Sequence, residues 1–251
     1  MEIFNNLSYS HAAAYFLLGL TSFLNILVPL SGSAIVTPLL TLLLDDPRKA
    51  IGLTSAFFVM SGIIRILFFR EKIQWSEVRV LWLPSVAAAA VGAFALLSIP
   101  PVYLVGLILG FAMYFMLKKF GVIPKREKPL PVLEYFIGLF SGFLQGTGLA
   151  GSDLRNQYLY AQGLDIAEVH GTTALIGWSN FFVATVVRLM TGQLTLPDIE
   201  PLGYLLPVVF LAIWMGKRTL YKVPKSVADG IIKVVMVLVV LSLCYELVKM
   251  F

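Results

Sequence analysis

Residues 133–163 read LEYFIGLFSGFLQGTGLAGSDLRNQYLYAQG. The stretch opens apolar, is interrupted by Gly146, Gly148 and Gly151, and runs on into Ser152-Asp153-Leu154-Arg155-Asn156-Gln157. It is about 30 residues long, and one untilted membrane span needs only about 20. Clustered glycine breaks a helix and frees backbone polar groups. At membrane depth such groups survive only inside protein or against a water-filled cavity. The stretch therefore reads as a broken spanning helix, or as a re-entrant hairpin of two half-helices.

The same construction occurs earlier, over 11–44, where Val28-Pro29-Leu30-Ser31-Gly32-Ser33 makes the break. Sliding the first half by 119 positions brings Gly19 onto Gly138, Ser22 onto Ser141, Gly32-Ser33 onto Gly151-Ser152, Asp46 onto Asp165, Gly52 onto Gly171, Thr54 onto Thr173 and Gln74 onto Gln193. The chain is read as two membrane repeats, 1–119 and 133–251, joined by a basic cytoplasmic linker at 120–132. Apolar segments are expected at about 11–44, 50–69, 77–97, 101–119, 133–163, 168–190, 199–219 and 225–249. The fold class is an all-α integral membrane protein with about four segments per repeat, the first of each broken or re-entrant. Internal repeats with discontinuous helices are a common build of secondary transporters.

Composition agrees. Of 251 residues, 59% are apolar and 13% charged, against about 45–50% and about 25% in soluble domains. That excludes a soluble enzyme, a disordered tail and a nucleic-acid module. The single cysteine, Cys244, excludes a disulfide framework and a multi-cysteine metal site. Met1–Asn6 carries Glu2 and no cation ahead of the first apolar stretch, so no secretory leader is expected. The excess positive charge lies in loops. If both long segments re-enter, Arg70, Lys72, the linker and Lys217, Arg218, Lys222 and Lys225 share one side, and Arg48, Lys49, Arg188 and Lys249 take the other. The positive-inside rule favours that arrangement, with six full crossings, inverted halves and both termini outside.

Polar residues that persist in a membrane chain are informative. The second break contributes Gly148, Gly151, Ser152, Asp153, Arg155 and Asn156, and the first Gly32 and Ser33. Arg155 reads either as a cation for an anion, with Asp153 orienting it or titrating, or as half of an internal ion pair that pins the break. Gly146-x-Gly148-x-x-Gly151 matches the dinucleotide fingerprint only formally, because no strand precedes it. What carries over is that glycines let backbone N–H groups approach a ligand and a half-helix start presents its positive end. Thr54, Ser55, Thr172 and Thr173, near two later helix starts, have hydroxyls to donate to an oxyanion or to their own backbone. Ser61 and Asn180 correspond across the repeat and lie further in. His170, near an interface, reads either as a proton-linked group or as simply solvated there. Arg65, Arg70, Arg79 and Arg188 near segment ends read as snorkelling to the interface. Trp75 fits an interfacial belt, and Trp178 lies inside its segment. Gly106-x-x-x-Gly110 and Gly142-x-x-x-Gly146 are helix-contact patterns. No HExxH, GxSxG or P-loop is present, so neither an enzyme nor an ATP-driven pump is expected, and no cofactor or metal is expected either.

With these residues in view, the chain resembles the sulfite exporter TauE/SafE family, small bacterial permeases for sulfur-containing anions. The likeness runs over about residues 12–249. It rests on Ser31-Gly32-Ser33-Ala34-Ile35-Val36-Thr37-Pro38-Leu39-Leu40 with Ala50-Ile51-Gly52-Leu53-Thr54-Ser55, on Gly148-Leu149-Ala150-Gly151-Ser152 with His170-Gly171-Thr172-Thr173, and on the turn Gly192-Gln193-Leu194. The resemblance implies passage of a small sulfur oxyanion or organosulfonate. The expectation is a secondary carrier in the cytoplasmic membrane, working by alternating access at a midplane site between the two breaks. Its expected partners are a small anion, the lipid bilayer and a coupling proton or sodium ion, with no nucleic acid. An anion channel and a non-transporting membrane scaffold are the alternatives.

Overall fold

The computed structural model describes residues 9–27, 32–44, 46–122, 133–220, 222 and 225–249. Among them every regular element is a helix: α1 (Tyr9–Leu27), α2 (Ser33–Leu44), α3 (Pro47–Phe69), α4 (Trp75–Ala95), α5 (Pro101–Lys119), α6 (Leu133–Gly146), α7 (Ser152–Ala161), α8 (Ile166–Met190), α9 (Leu196–Gly203), α10 (Leu206–Thr219) and α11 (Lys225–Lys249). Both long segments are two helices each, α1 with α2 and α6 with α7. Pro29 and Ser31 of the first break and most of the basic linker lie outside the described residues.

Local chemistry explains the boundaries. Asp46 caps α3, accepting from the Arg48 and Lys49 N–H groups at 2.9 and 3.2 Å, with Pro47 in the first turn. Asp165, its partner in the 119-residue shift, caps α8 through a reciprocal box with Glu168. α6 ends where Gly148 takes φ +84°. There Leu149 N–H bonds Leu144 C=O at 2.7 Å and Gly148 N–H bonds Gln145 C=O at 3.0 Å, the Schellman pattern that needs glycine at this position. One correction concerns the segment expected at 199–219. It is two helices, α9 and α10, bent by 52°. Pro207 opens α10 without an N–H to give back to the preceding turn, so α9 cannot run on.

The pattern of exposure is that of a protein solvated by lipid. Leu67, Leu83, Val91, Tyr103, Phe140, Met190, Leu241 and Val248 are well exposed, while Asn25, Ser55, Gln145, Asp153, Arg155, His170, Asn180 and Arg188 are buried. The two largest fully buried side chains are Arg155 and Arg188. Water would reverse that order. Among the described residues, three helical stretches, Pro47–Lys72, Trp75–Ser98 and Ile166–Met190, are long and apolar enough to cross a membrane, and the bent pair α9–α10 passes as a fourth.

α3 and α8 form the central pair. His170 meets Arg65, Trp178 packs on Gly62, Phe181 stacks on Phe58 at 4.9 Å, and Arg188 reaches Ser55. One numbering falls as the other rises, so the two helices are antiparallel. α6 lies against α4, and α1 against α10. In the α4–α6 seam a Cβ on Gly142 would collide with the Ser85 carbonyl and one on Gly146 with the Ala89 carbonyl. The Gly142-x-x-x-Gly146 pattern is thus a backbone-to-backbone contact. Gly106 and Gly110 of the other pattern face open space. Substituting both with alanine is expected to leave the melting temperature in detergent within about 2 °C, the range of a neutral surface change. A loss beyond that would place a contact on this face.

Candidate functional site

The start of α7 doubles back on α6. A Cβ on Gly151 would strike the Ser141 carbonyl, which lies well inside α6. This reversal leaves polar backbone beside the α3–α8 pair, and a cavity forms there. It is lined by Asn25 of α1 with Gly32 and Ser33 at the first half's break, by Gln145 of α6 with Ser152 and Asn156 of α7 on either side of the second, by Phe58, Gly62 and Arg65 of α3, and by Thr173, Ala174, Gly177, Trp178 and Phe181 of α8. The space open to the centre of a water-sized sphere is about 40 Å³, enough for about three waters or one small oxyanion. Among the described residues, the one charged side chain in this lining is Arg65, and no carboxylate is part of it.

Arg65 is a correction to the snorkelling expectation. Its Nη2 lies 3.2 Å from Nδ1 of His170. A guanidinium only donates, so Nδ1 accepts and the ring proton sits on Nε2, which donates to the Ile26 carbonyl at 2.8 Å. His170 is therefore buried and bridges α8 to α1 and α3, rather than lying solvated at an interface. Arg70 and Arg79 are exposed, as expected. Arg188 is again a correction: it is fully buried, with Nη1 on the Ser55 hydroxyl and Nη2 on the Gly146 carbonyl. It satisfies an acceptor freed by the second break, and Thr37 satisfies another by donating to the Gly148 carbonyl at 3.1 Å. These are the partners that a helix end needs inside a membrane.

Of the residues singled out from the sequence, Gly32, Ser33, Ser152, Asn156 and Thr173 line the cavity. Thr54 and Ser55 donate to their own helix, to the Ala50 and Ile51 carbonyls at 2.8 Å each. Thr172 accepts from the Gln74 N–H at 3.0 Å. Gly148 shapes the end of α6, and Gly151 lets α7 approach it. Asp153 accepts from Gln157 Nε2 at 2.7 Å. Arg155 lies behind the cavity wall, fully buried, its Nη1 on Ser141 Oγ at 3.1 Å and Ser85 Oγ at 3.4 Å. Among the described residues Arg155 has no carboxylate within 4.0 Å, and its Nε and Nη2 have no partner. The ion pair with Asp153 is not formed. Asn180 also lies behind the wall, donating to Ser85 Oγ and to Gln145 Oε1, both at 2.7 Å.

Sequence reasoning passed over Asn25, Phe58, Gly62, Arg65, Gln145, Ala174, Gly177, Trp178 and Phe181 as site residues. A signal existed: Phe58, Gly62 and Arg65, and equally Ala174, Gly177, Trp178 and Phe181, fall at helical spacings of three, four and seven. Each set is one stripe, and each includes a residue small enough to leave space.

An all-helical membrane chain with a polar cavity between two broken segments has the layout of a permease. The sulfite exporter TauE/SafE family matches residues 14–243, and the chain belongs to that family. It is accordingly a multi-pass membrane protein of a transporter family for anions and sulfur compounds. No curated protein and no solved structure matches the chain.

Proposed function

We propose that the chain is a secondary carrier for a small sulfur-containing anion, such as sulfite, thiosulfate or an organosulfonate, in the cytoplasmic membrane. The observation that carries this reading is the cavity: both breaks, α3 and α8 line it, and among the described lining residues the charged group is a guanidinium and none is a carboxylate. Ser33 and Ser152 are the first residues of α2 and α7, so two helix starts present their positive ends to the same space. Two related halves, 1–119 and 133–251 around the linker 120–132, are supported by the matching helix order and by the pairing of α4 with α6 and α1 with α10. The antiparallel α3–α8 pair supports inverted halves, and re-entrant first segments are the simplest way to produce them. Alternating access then rocks one half on the other about the cavity. If the coupling ion is a proton, His170 is the titratable group held against Arg65.

The test is counterflow of labelled sulfite in vesicles holding purified protein, competed by thiosulfate, sulfonates, sulfate and chloride. Saturable exchange competed by sulfur anions and not by chloride supports the carrier. Flux that rises linearly without counterflow supports a channel. No flux of any anion by folded protein sinks both. Arg155→Ala is expected to slow counterflow about 30-fold, the loss of roughly 2 kcal/mol of charge stabilisation. A correctly inserted variant that exchanges at the wild-type rate would remove Arg155 from the site.

A further inference from the structure

We propose that the cavity selects an oxyanion that still carries a proton, such as hydrogen sulfite, over one with no O–H: Asn156 accepts the substrate O–H and Trp178 donates to one of its bare oxygens. This rests on the carrier reading above and deepens it, because it names the protonation class of the substrate and the two residues that read it.

Both residues line the cavity. Asn156 stands in α7 one turn after Ser152, another lining residue, so the two share the face of α7 that closes the space. Asn156 is 6% exposed, and its Oδ1 is buried with no hydrogen-bond partner. Trp178 lies in the middle of α8 and stacks on Phe182 at 5.4 Å. A Cβ on Gly62 would lie 3.1 Å from Trp178 Cδ1, the ring carbon bonded to Nε1, so glycine there makes room for the indole where it stands. Trp178 Nε1 is likewise buried with no partner. Other polar side chains of α7 and α8 are spent inside the protein: Gln157 on Asp153, Thr173 on the Val169 carbonyl, Ser179 with Trp82, and Asn180 on Ser85 and Gln145.

A buried polar atom left unpaired costs about 1–3 kcal/mol, so a donor and an acceptor left unpaired in the wall of one cavity point to a guest that answers both. An indole N–H only donates, and it fits an oxyanion oxygen. An amide oxygen only accepts. It opposes a bare oxyanion oxygen and fits an O–H. The space open to the centre of a water-sized sphere is about 40 Å³, so one small oxyanion fills it and meets both walls. Hydrogen sulfite carries bare oxygens and a hydroxyl on the same sulfur. Methanesulfonate has a methyl group in place of the hydroxyl and leaves Oδ1 unpaired. A site built around a substrate hydroxyl rejects the analogue lacking it for that reason.

The test uses two competitors of labelled sulfite counterflow in mildly acidic buffer: methylphosphonate, which then carries one proton, and methanesulfonate. Both are monovalent and of the same shape, and they differ by one O–H. Wild-type protein is expected to favour hydrogen methylphosphonate about tenfold or more. Asn156→Leu keeps the size and removes the acceptor. It is expected to weaken competition by hydrogen methylphosphonate about tenfold, with methanesulfonate within about twofold and the melting temperature in detergent within about 2 °C. Asn156→Ala, read the same way, serves if the leucine variant fails to insert. Trp178→Phe keeps a ring to stack on Phe182 and removes the N–H, so it is expected to weaken both competitors about fivefold and to leave their ratio unchanged. A wild type that does not distinguish the two anions overturns the proposal and leaves the carrier standing. So do folded Asn156 variants that keep the preference or lose both anions equally. A Trp178→Phe protein that holds both anions as the wild type does overturns the donor half. Absence of any saturable anion exchange by folded wild-type protein overturns the carrier reading and this selectivity with it.

Discussion

Arg65→Gln is expected to lower the sulfite counterflow rate per unit of substrate about 100-fold, equivalent to ~3 kcal/mol of lost anion stabilisation. Arg65 is the charged side chain of the cavity lining, and a guanidinium in a closed low-dielectric space acts on an anion far more strongly than one in water. Glutamine keeps an N–H donor on a shorter side chain and removes the charge. The readouts are the concentration for half-maximal exchange and the maximal rate, on vesicles with matched protein content. Arg65→Lys is expected to recover part of the loss, because it restores charge without the planar fork. A variant that exchanges as the wild type does would show that Arg65 only holds His170 in place.

The second large effect is structural. Gly142→Ala is expected to lower the melting temperature in detergent by about 10 °C, from an overpacking cost of roughly 3 kcal/mol. The added methyl would collide with the Ser85 carbonyl, and both partners are backbone within packed helices. No rotamer change relieves that, so α6 must move off α4. The displacement would carry Ser141 and Gln145 away from Ser85 on α4, and these three residues position Arg155 and Asn180. Counterflow should therefore fall even below the unfolding temperature. A wild-type melting temperature would mean that the seam is looser than its geometry implies.

These two residues show how unevenly the sequence reports on the molecule. Gly142-x-x-x-Gly146 was legible because close helix packing in lipid demands small residues at that spacing, and the structure places both glycines on the neighbouring backbone. Asp46 and Asp165 were legible as an aligned pair, and each caps a helix of the central pair. Arg65 and Arg188 were misread as snorkelling. Nearness to a segment end says how far a residue is along its helix, not which side of the helix it occupies. On the lipid side a guanidinium must reach for water. On the protein side it can be held by a ring nitrogen, a hydroxyl or a freed carbonyl, and such partners come from elsewhere in the chain. His170 was misjudged for the same reason, since the Ile26 carbonyl that holds it lies 144 positions away.

By itself the sequence determined the solvent and the building plan. Nearly all helix lengths and both interruptions follow from apolar runs, prolines and glycines, because lipid leaves a chain little choice but hydrogen-bonded helices. Only the tertiary structure decided which polar residues face one another. The antiparallel packing of α3 on α8 brings Arg65 to the cavity, and the return of α7 onto α6 puts Arg155 behind its wall. Those juxtapositions depend on helix rotation and on contacts between residues more than a hundred positions apart, which local periodicity does not encode.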